Sequence, residues 1–171
     1  MFGINRELEN FSDIKGYTLL DIGAAEGIIS LEAIDYVEKA YLFECDEKRI
    51  NALSATFADY TNKVSIVKKY VGEIDNEDNI TLDTFLKENE IGKIFIKMDI
   101  EGSEIAALRG ANSIFKNPDL LINFAICTYH TPTDADRIKS HLDKFNFHSH
   151  FSEGYLLCSG DLRRGVIRGN N

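Results

Sequence analysis

Short apolar runs stopped by Gly or Asp alternate along this chain with segments of helical period. "YTLLDIG" (17–23) is one such run. "EGIISLEAIDYVEK" (26–39) follows, with Ile29, Ala33 and Val37 four residues apart and Ile34 on the same face, which predicts a helix. "AYLFECD" (40–46) reads as a second strand. "EKRINALSATFADY" (47–60) reads as a second helix, with Ile50, Leu53 and Phe57 at i, i+3 and i+7. "KVSIVKKYVG" (63–72) is a third strand, "NITLDTFLKEN" holds a short helix around Leu82, Phe85 and Leu86, and "KIFIKMDI" (93–100) is a fourth strand. "SEIAALRGANSIFK" reads as helix with Gly110 as its weak point. "DLLINFAICTYH" (119–130) is a fifth strand, "DADRIKSHLDKFN" a last helix, and "FHSHFSEGYLLCS" and "RRGVIRG" two terminal strands. Strands alternating with helices imply crossovers and a doubly wound, mostly parallel α/β sheet of Rossmann-like type. A near-continuous apolar strand such as LLINFAIC suits burial on both faces.

In such sheets ligands bind beyond the carboxyl ends of the strands. Three ends follow from the reading above: Asp21–Gly27, Glu44–Asp46 and Asp99–Glu104. The 171 residues fit a single domain over 1–171. The net charge of -9 argues against nucleic acid as a partner and against a basic membrane surface. No apolar run approaches the roughly 20 residues that span a bilayer, and "MFGINRELENF" lacks an apolar signal core. Cys45, Cys127 and Cys158 are odd in number and widely spaced, which fits free thiols in a reducing cytoplasm better than a disulfide framework or a zinc site.

The first end, "DIGAAEG", is a glycine-containing turn that leads into a helix N-terminus. Glu44 lies 21 residues after Gly23, the offset at which an acidic residue bonds a ribose diol. A dinucleotide fingerprint has glycine two positions on, and here that position is Ala25. Asp21 and Glu26 also make the loop poor company for a pyrophosphate and suit a cationic ligand. S-adenosylmethionine, with a sulfonium, an ammonium and no phosphate, is therefore favoured over NAD. Glycines that merely pack the strand against the helix are the plainer reading of the same loop.

DIGAAEG, FECD, TLDTF and above all KMDIEGSEIAALRGA resemble the FkbM-type methyltransferases, over about Tyr17 to Arg168. The resemblance implies a seven-stranded class I methyltransferase sheet with an antiparallel last strand, and S-adenosylmethionine as cofactor. It implies cofactor contacts at Asp21, Gly23, Ala25 and Gly27, with Ala24 and Cys45 beside them and Glu44 on the ribose. It also implies O-methylation of a small hydroxylated acceptor such as a sugar, glycolipid or natural-product intermediate. Only about 16 residues precede the first strand, fewer than in many members. The expectation is that another subunit, as in a homodimer, or residues outside this chain supply the cover over the acceptor. A domain that keeps the fold without catalysis is the alternative, and an NAD-dependent oxidoreductase is disfavoured by Ala25.

"IFIKMDIEGSE" closes an apolar strand with Asp99, Glu101 and Glu104. A hydroxyl nucleophile benefits from a base or a metal. Asp99 is placed to orient the hydroxyl, take its proton or bind a divalent cation, and Glu101 to share that cation. His130, at the end of the neighbouring strand, is the candidate general base, with an ordinary pKa near 6.5. Plainer roles are a turn former for Asp99, a helix start for Glu104 with Ser103, and a turn histidine for His130 with Asp134 capping the next helix. Lys97 is expected to partner a carboxylate. Arg163, Arg164 and Arg168 face an anionic substrate or solvate an edge strand, and His148 and His150 lie along one strand face.

Overall fold

The structure is a computed structural model and describes residues 11–171. Residues 1–10, which include most of the stretch read above for a signal core, lie outside the described residues. From the first strand onward the chain builds β1 (Thr18–Ile22), α1 (Ile28–Ala33), β2 (Lys39–Phe43), α2 (Glu47–Thr56), β3 (Val64–Val67), β4 (Tyr70–Val71), β5 (Asn79–Ile80) and α3 (Leu82–Asn89). It continues through β6 (Lys93–Met98), α4 (Glu104–Arg109), α5 (Asn112–Phe115), β7 (Leu121–Cys127), α6 (Asp134–Leu142), β8 (His148–Phe151), β9 (Leu156–Cys158), β10 (Asp161–Arg163) and β11 (Val166–Asn170). Seven strands form one sheet in the order β3-β2-β1-β6-β7-β11-β8. β11 runs antiparallel to both of its neighbours, and the other pairings in this sheet are parallel.

The alternation of side chains along each strand splits the core in two. On one face Leu20, Ile22, Ile96, Met98 and Phe124 pack under α3, α4, α5 and α6, through residues such as Phe85, Leu108, Phe115 and Leu142. On the other, Leu19, Leu42, Phe95 and Ala125 pack under Ala33, Leu53 and Phe57. Local signals set the helix starts. Asp46 accepts a hydrogen bond from the Arg49 amide, and the Thr81 hydroxyl accepts one from the Thr84 amide. Such caps contribute about 1 kcal/mol each. No helix among the described residues is long and apolar enough to cross a membrane, and the three cysteines are free thiols.

Several predicted elements are shorter than their sequence pattern. The helix expected over 26–39 stops at Ala33, because the following turn must present the Tyr36 carbonyl to the Gly16 amide and the Glu38 amide to the Tyr17 carbonyl. The strand expected over 63–72 breaks after Val67, and Tyr70–Val71 pair instead with β5. The helix after Ser103 does break at Gly110. The first of the two terminal strands is really β8 plus half of a β9–β10 hairpin in which Leu157 faces Leu162.

Candidate active site

β2, β1, β6 and β7 are consecutive neighbours, and Ile22 pairs with both Phe43 and Met98. The carboxyl ends of β2, β1 and β6 open into one cleft of about 690 Å³, and the end of β7 lies beside it, in contact with Asp99. Just beyond β1, the Gly23 and Ala24 amides both donate to the Phe43 carbonyl at 3.1 Å. Gly23 has φ 78°, and a Cβ there would stand 2.0 Å from the Asp99 carbonyl oxygen. Only glycine lets the first strand-end turn lie directly on the third. The Lys97 ammonium, almost wholly buried, sits 3.0 Å from Asp21 Oδ1 and donates to the Gly23 carbonyl at 2.7 Å. Ser30 Oγ donates to the other Asp21 oxygen at 2.7 Å. Asp21, 1% exposed, thus anchors the turn from beneath.

Glu44, at the end of β2, accepts from the Ala25 amide through Oε2 at 3.1 Å and from the Cys45 and Asp46 amides through Oε1 at 2.8 and 2.9 Å. A carboxylate has about four lone-pair sites. Three amides hold this one in place and leave Oε2 able to accept from a ligand in the cleft. Burial, with Glu44 and Asp78 nearby, pushes the Cys45 thiol up, which keeps it neutral. Carboxylates dominate the cleft wall: Asp21, Glu26, Glu44, Glu73, Asp99 and Glu101, against Arg49, Lys69 and the already paired Lys97.

Asp99 is the first residue after β6. Its Oδ1 lies 2.7 Å from His130 Nε2, and its Oδ2 accepts from the Tyr129 hydroxyl at 3.1 Å. His130 Nε2 is also 3.2 Å from Glu104 Oε1, and its Nδ1 is 3.6 Å from Glu101 Oε2. Glu104 opens α4, is 1% exposed, and accepts from the Ile100 amide at 2.9 Å. Burial alone would raise the Asp99 carboxyl, but the hydrogen bond from His130 and the charge of Lys97 outweigh it and hold the group low. The hydrogen bonds to Asp99 and Glu104 push His130 up to about 10 against the opposing effect of burial. Desolvation, chiefly, raises the Tyr129 phenol, so it stays a donor. Arg163, on β10, donates to the Tyr129 and His130 carbonyls at 2.9 and 2.8 Å and pins this segment.

The chain matches the family model of the methyltransferase FkbM domain over residues 50–150. It belongs to the FkbM methyltransferase family. A crystallised FkbM methyltransferase from Methylobacillus flagellatus KT aligns with a TM-score of 0.71 at 22% identity, over 90% of this chain and 43% of that one. The chain therefore spans less than half of that relative. A candidate methyltransferase from Streptococcus mutans, in complex with S-adenosylhomocysteine, aligns with a TM-score of 0.62 at 12% identity, over 99% of this chain and 100% of that one. An rRNA methylase from Streptococcus thermophilus aligns at 0.59 and 12% identity, over 94% and 90%. At these identities the three share the fold. No curated protein matches the chain.

In this FkbM-family chain Asp21, Gly23, Ala24, Ala25, Glu44 and Cys45 all line the cleft. Gly27 does not. A Cβ there would meet Leu53 Cδ2 at 2.6 Å and Phe57 Cε2 at 2.8 Å, so this glycine packs the turn against α2 and its end. Asp99 and His130 are brought together as expected. The role of free general base does not fit His130, however, because its Nε2 is enclosed by two carboxylates that keep it protonated. Glu101 turns the chain at φ 55° with its side chain 93% exposed. Asp134 does not cap α6. Its carboxylate reaches back to the Thr131 amide and hydroxyl at 2.6 and 2.5 Å. Lys97 partners a carboxylate as expected, while Arg164 stacks on Tyr155 with its guanidinium carbon 4.5 Å from the ring centre. Arg168 sits inside the sheet on β11, opposite Ala125 and His150. His148 and His150 are exposed along β8. The sequence pattern does not single out Tyr129, and it assigns Arg163 to an anionic substrate or an edge strand rather than to the Tyr129 and His130 carbonyls that it meets. Tyr129 had the signal of standing next to His130, whereas Arg163 reaches the site only because the hairpin folds over it.

Proposed function

We propose that this chain transfers a methyl group from S-adenosylmethionine to a hydroxyl oxygen of a small acceptor, such as a sugar, glycolipid or natural-product intermediate. The observation that carries the reading is the direct packing of Gly23 on Asp99, which sets a cofactor-type turn against an acceptor-facing carboxylate within one cleft. The donor set fits the cofactor. The cleft is acidic, as a sulfonium and an ammonium require, and its one buried lysine is committed to Asp21 and the Gly23 carbonyl. Glu44 Oε2 is held ready for a ribose hydroxyl, and Gly23 to Ala25 leave room for close approach. When bound, S-adenosylmethionine supplies an electrophilic methyl group.

Asp99 orients the acceptor hydroxyl and takes up its proton, with its own charge shared with Tyr129 and His130. Holding the oxygen on line supplies much of the rate, since well-aligned intramolecular reactions gain about 7–11 kcal/mol. The net negative charge, and a cleft with more acids than bases, support a small uncharged or cationic acceptor rather than nucleic acid. The free cysteines support a reducing compartment such as the cytoplasm. Calorimetry with S-adenosylhomocysteine tests the cofactor half. Folded protein that fails to bind it at high micromolar concentration sinks the reading. Asp99→Ala should retain that affinity within about threefold and lose about 10²-fold or more in transfer of a labelled methyl group to hydroxylated acceptors. Normal turnover by the variant would remove Asp99 from the chemistry. Binding with no transfer to any acceptor would favour the non-catalytic alternative.

A further inference from the structure

Asp99, Glu104 and His130 offer one ligand atom each, and these atoms lie within 4.8 Å of one another. His130 Nε2 stands 2.7 Å from Asp99 Oδ1 and 3.2 Å from Glu104 Oε1. Bonds of roughly 2.1 Å meeting at the right angles of an octahedral ion would place neighbouring ligand atoms about 3.0 Å apart, between the two spacings measured from Nε2. The set also leaves something unsatisfied. Glu104 is 1% exposed, yet its Oε2 has no hydrogen-bond partner. A carboxylate oxygen buried without a donor carries a desolvation penalty that nothing around it offsets.

We propose that Asp99, Glu104 and His130 form a site for a divalent cation with mixed nitrogen and oxygen preference, Mn²⁺ or Zn²⁺ in type. The incoming ion takes the place of the proton that His130 Nε2 shares with the two carboxylates, and that proton leaves to solvent; two carboxylates and the resulting neutral imidazole carry a charge of -2, which such an ion neutralises. One imidazole and two carboxylates suit this class better than a purely oxygen-seeking ion such as Ca²⁺. Of the three ligands Asp99 lines the cleft, with 27% of its side chain exposed, so the site borders the space assigned above to the acceptor. The ligand from α4 is Glu104 and not Glu101, which the sequence pattern favoured. Glu101 stands 3.6 Å from the far ring nitrogen of His130, where it orients the imidazole.

The inference deepens the methyl-transfer reading, on which it rests for its purpose. A cation here would lower the pKa of an acceptor hydroxyl bound to it. Its test is separate from transfer. Chelator-stripped protein is titrated with Mn²⁺ and with Zn²⁺ by calorimetry, and Mn²⁺ binding is followed in parallel by electron paramagnetic resonance. One site per chain is expected, together with a rise in melting temperature. Glu104→Gln keeps an acceptor for the Ile100 amide and should weaken binding 10–100-fold or more; Asp99→Asn should do the same and serves if the first variant unfolds. No binding by folded protein at 1 mM ion (roughly the weak end of biological sites), or equal binding by both variants, overturns the site. Full transfer by chelated protein overturns the assigned purpose and leaves the methyltransferase reading standing. Metal binding without S-adenosylhomocysteine binding keeps the site and removes that reading.

Discussion

A lysine in the middle of a parallel sheet has to be compensated, because a charge buried without a partner is far costlier than the fold can tolerate. Lys97 is compensated by Asp21 across the β1–β6 pair and by the Gly23 carbonyl. Through these two contacts Lys97 ties the first strand-end turn to β6. Lys97→Met should cost about 3–5 kcal/mol in urea unfolding, since it strands the Asp21 carboxylate. Adding Asp21→Leu should recover part of that loss. Strictly additive losses would show that the two groups are not coupled. At this scale the sequence was informative where position alone decides the role. Asp99 and Glu44 follow their strands directly, so the rule that looks beyond strand ends leads to two residues that line the cleft. It could not show that Glu104, a helix start by local pattern, also reaches His130, because that contact depends on how a connection between two strands closes in space.

Elements were legible in type and less so in extent. The periodicity of 26–39 is real, since Ala33, Ile34 and Val37 are all buried, but the last of them belong to a turn. The period of buried residues cannot report backbone bonds made to another segment, here Gly16 and Tyr17. Gly110 is a sharper case. Helix propensity alone says that Gly110→Ala should stabilise by up to about 1 kcal/mol. The structure says otherwise, for a Cβ there would stand 2.1 Å from the Gly72 carbonyl oxygen, which is backbone and cannot swing aside. The substitution should therefore destabilise by about 1–3 kcal/mol, the usual cost of overpacking. A higher melting temperature for Gly110→Ala would refute the close approach of α4 to the segment after β4. The β9–β10 hairpin escaped notice for another reason. Leu157 and Leu162 are both strongly exposed, and Leu157 stands between Leu156 and Cys158, so no apolar–polar alternation in the sequence marks β9.

Across the whole molecule, buried polar groups set how stability responds to pH. His141, on α6, is 6% exposed and packs against Phe145 with ring centres 5.6 Å apart. Desolvation holds its pKa below the ordinary histidine value, and Lys144 and Arg109 act in the same direction; a backbone hydrogen bond at Leu108 and the charge of Glu73 oppose them. The unfolded chain therefore binds more protons than the folded one below about pH 6.5. The stability this group contributes is full above that pH and is lost as pH falls toward the folded value. His141→Gln should flatten the acid side of the stability curve measured by urea unfolding between pH 7 and 5. An unchanged slope would mean that His141 takes up its proton without resistance.

The position of β11 bears on the order in which the protein can come into being. Residues 166–170 insert between β7 and β8, and within the main sheet β8 pairs with nothing else. A growing chain emerges from the ribosome N-terminus first. β1, β2, β3 and β6, with the turn at Gly23, can associate while the rest is still being made. The side that carries His130 must wait, since Thr128 is bonded to Gly165 and the Tyr129–His130 backbone to Arg163. The turn at Gly23 and the strand ends beside it can thus be in place before the segment around His130, which is completed only once Arg163 and Gly165 have been made.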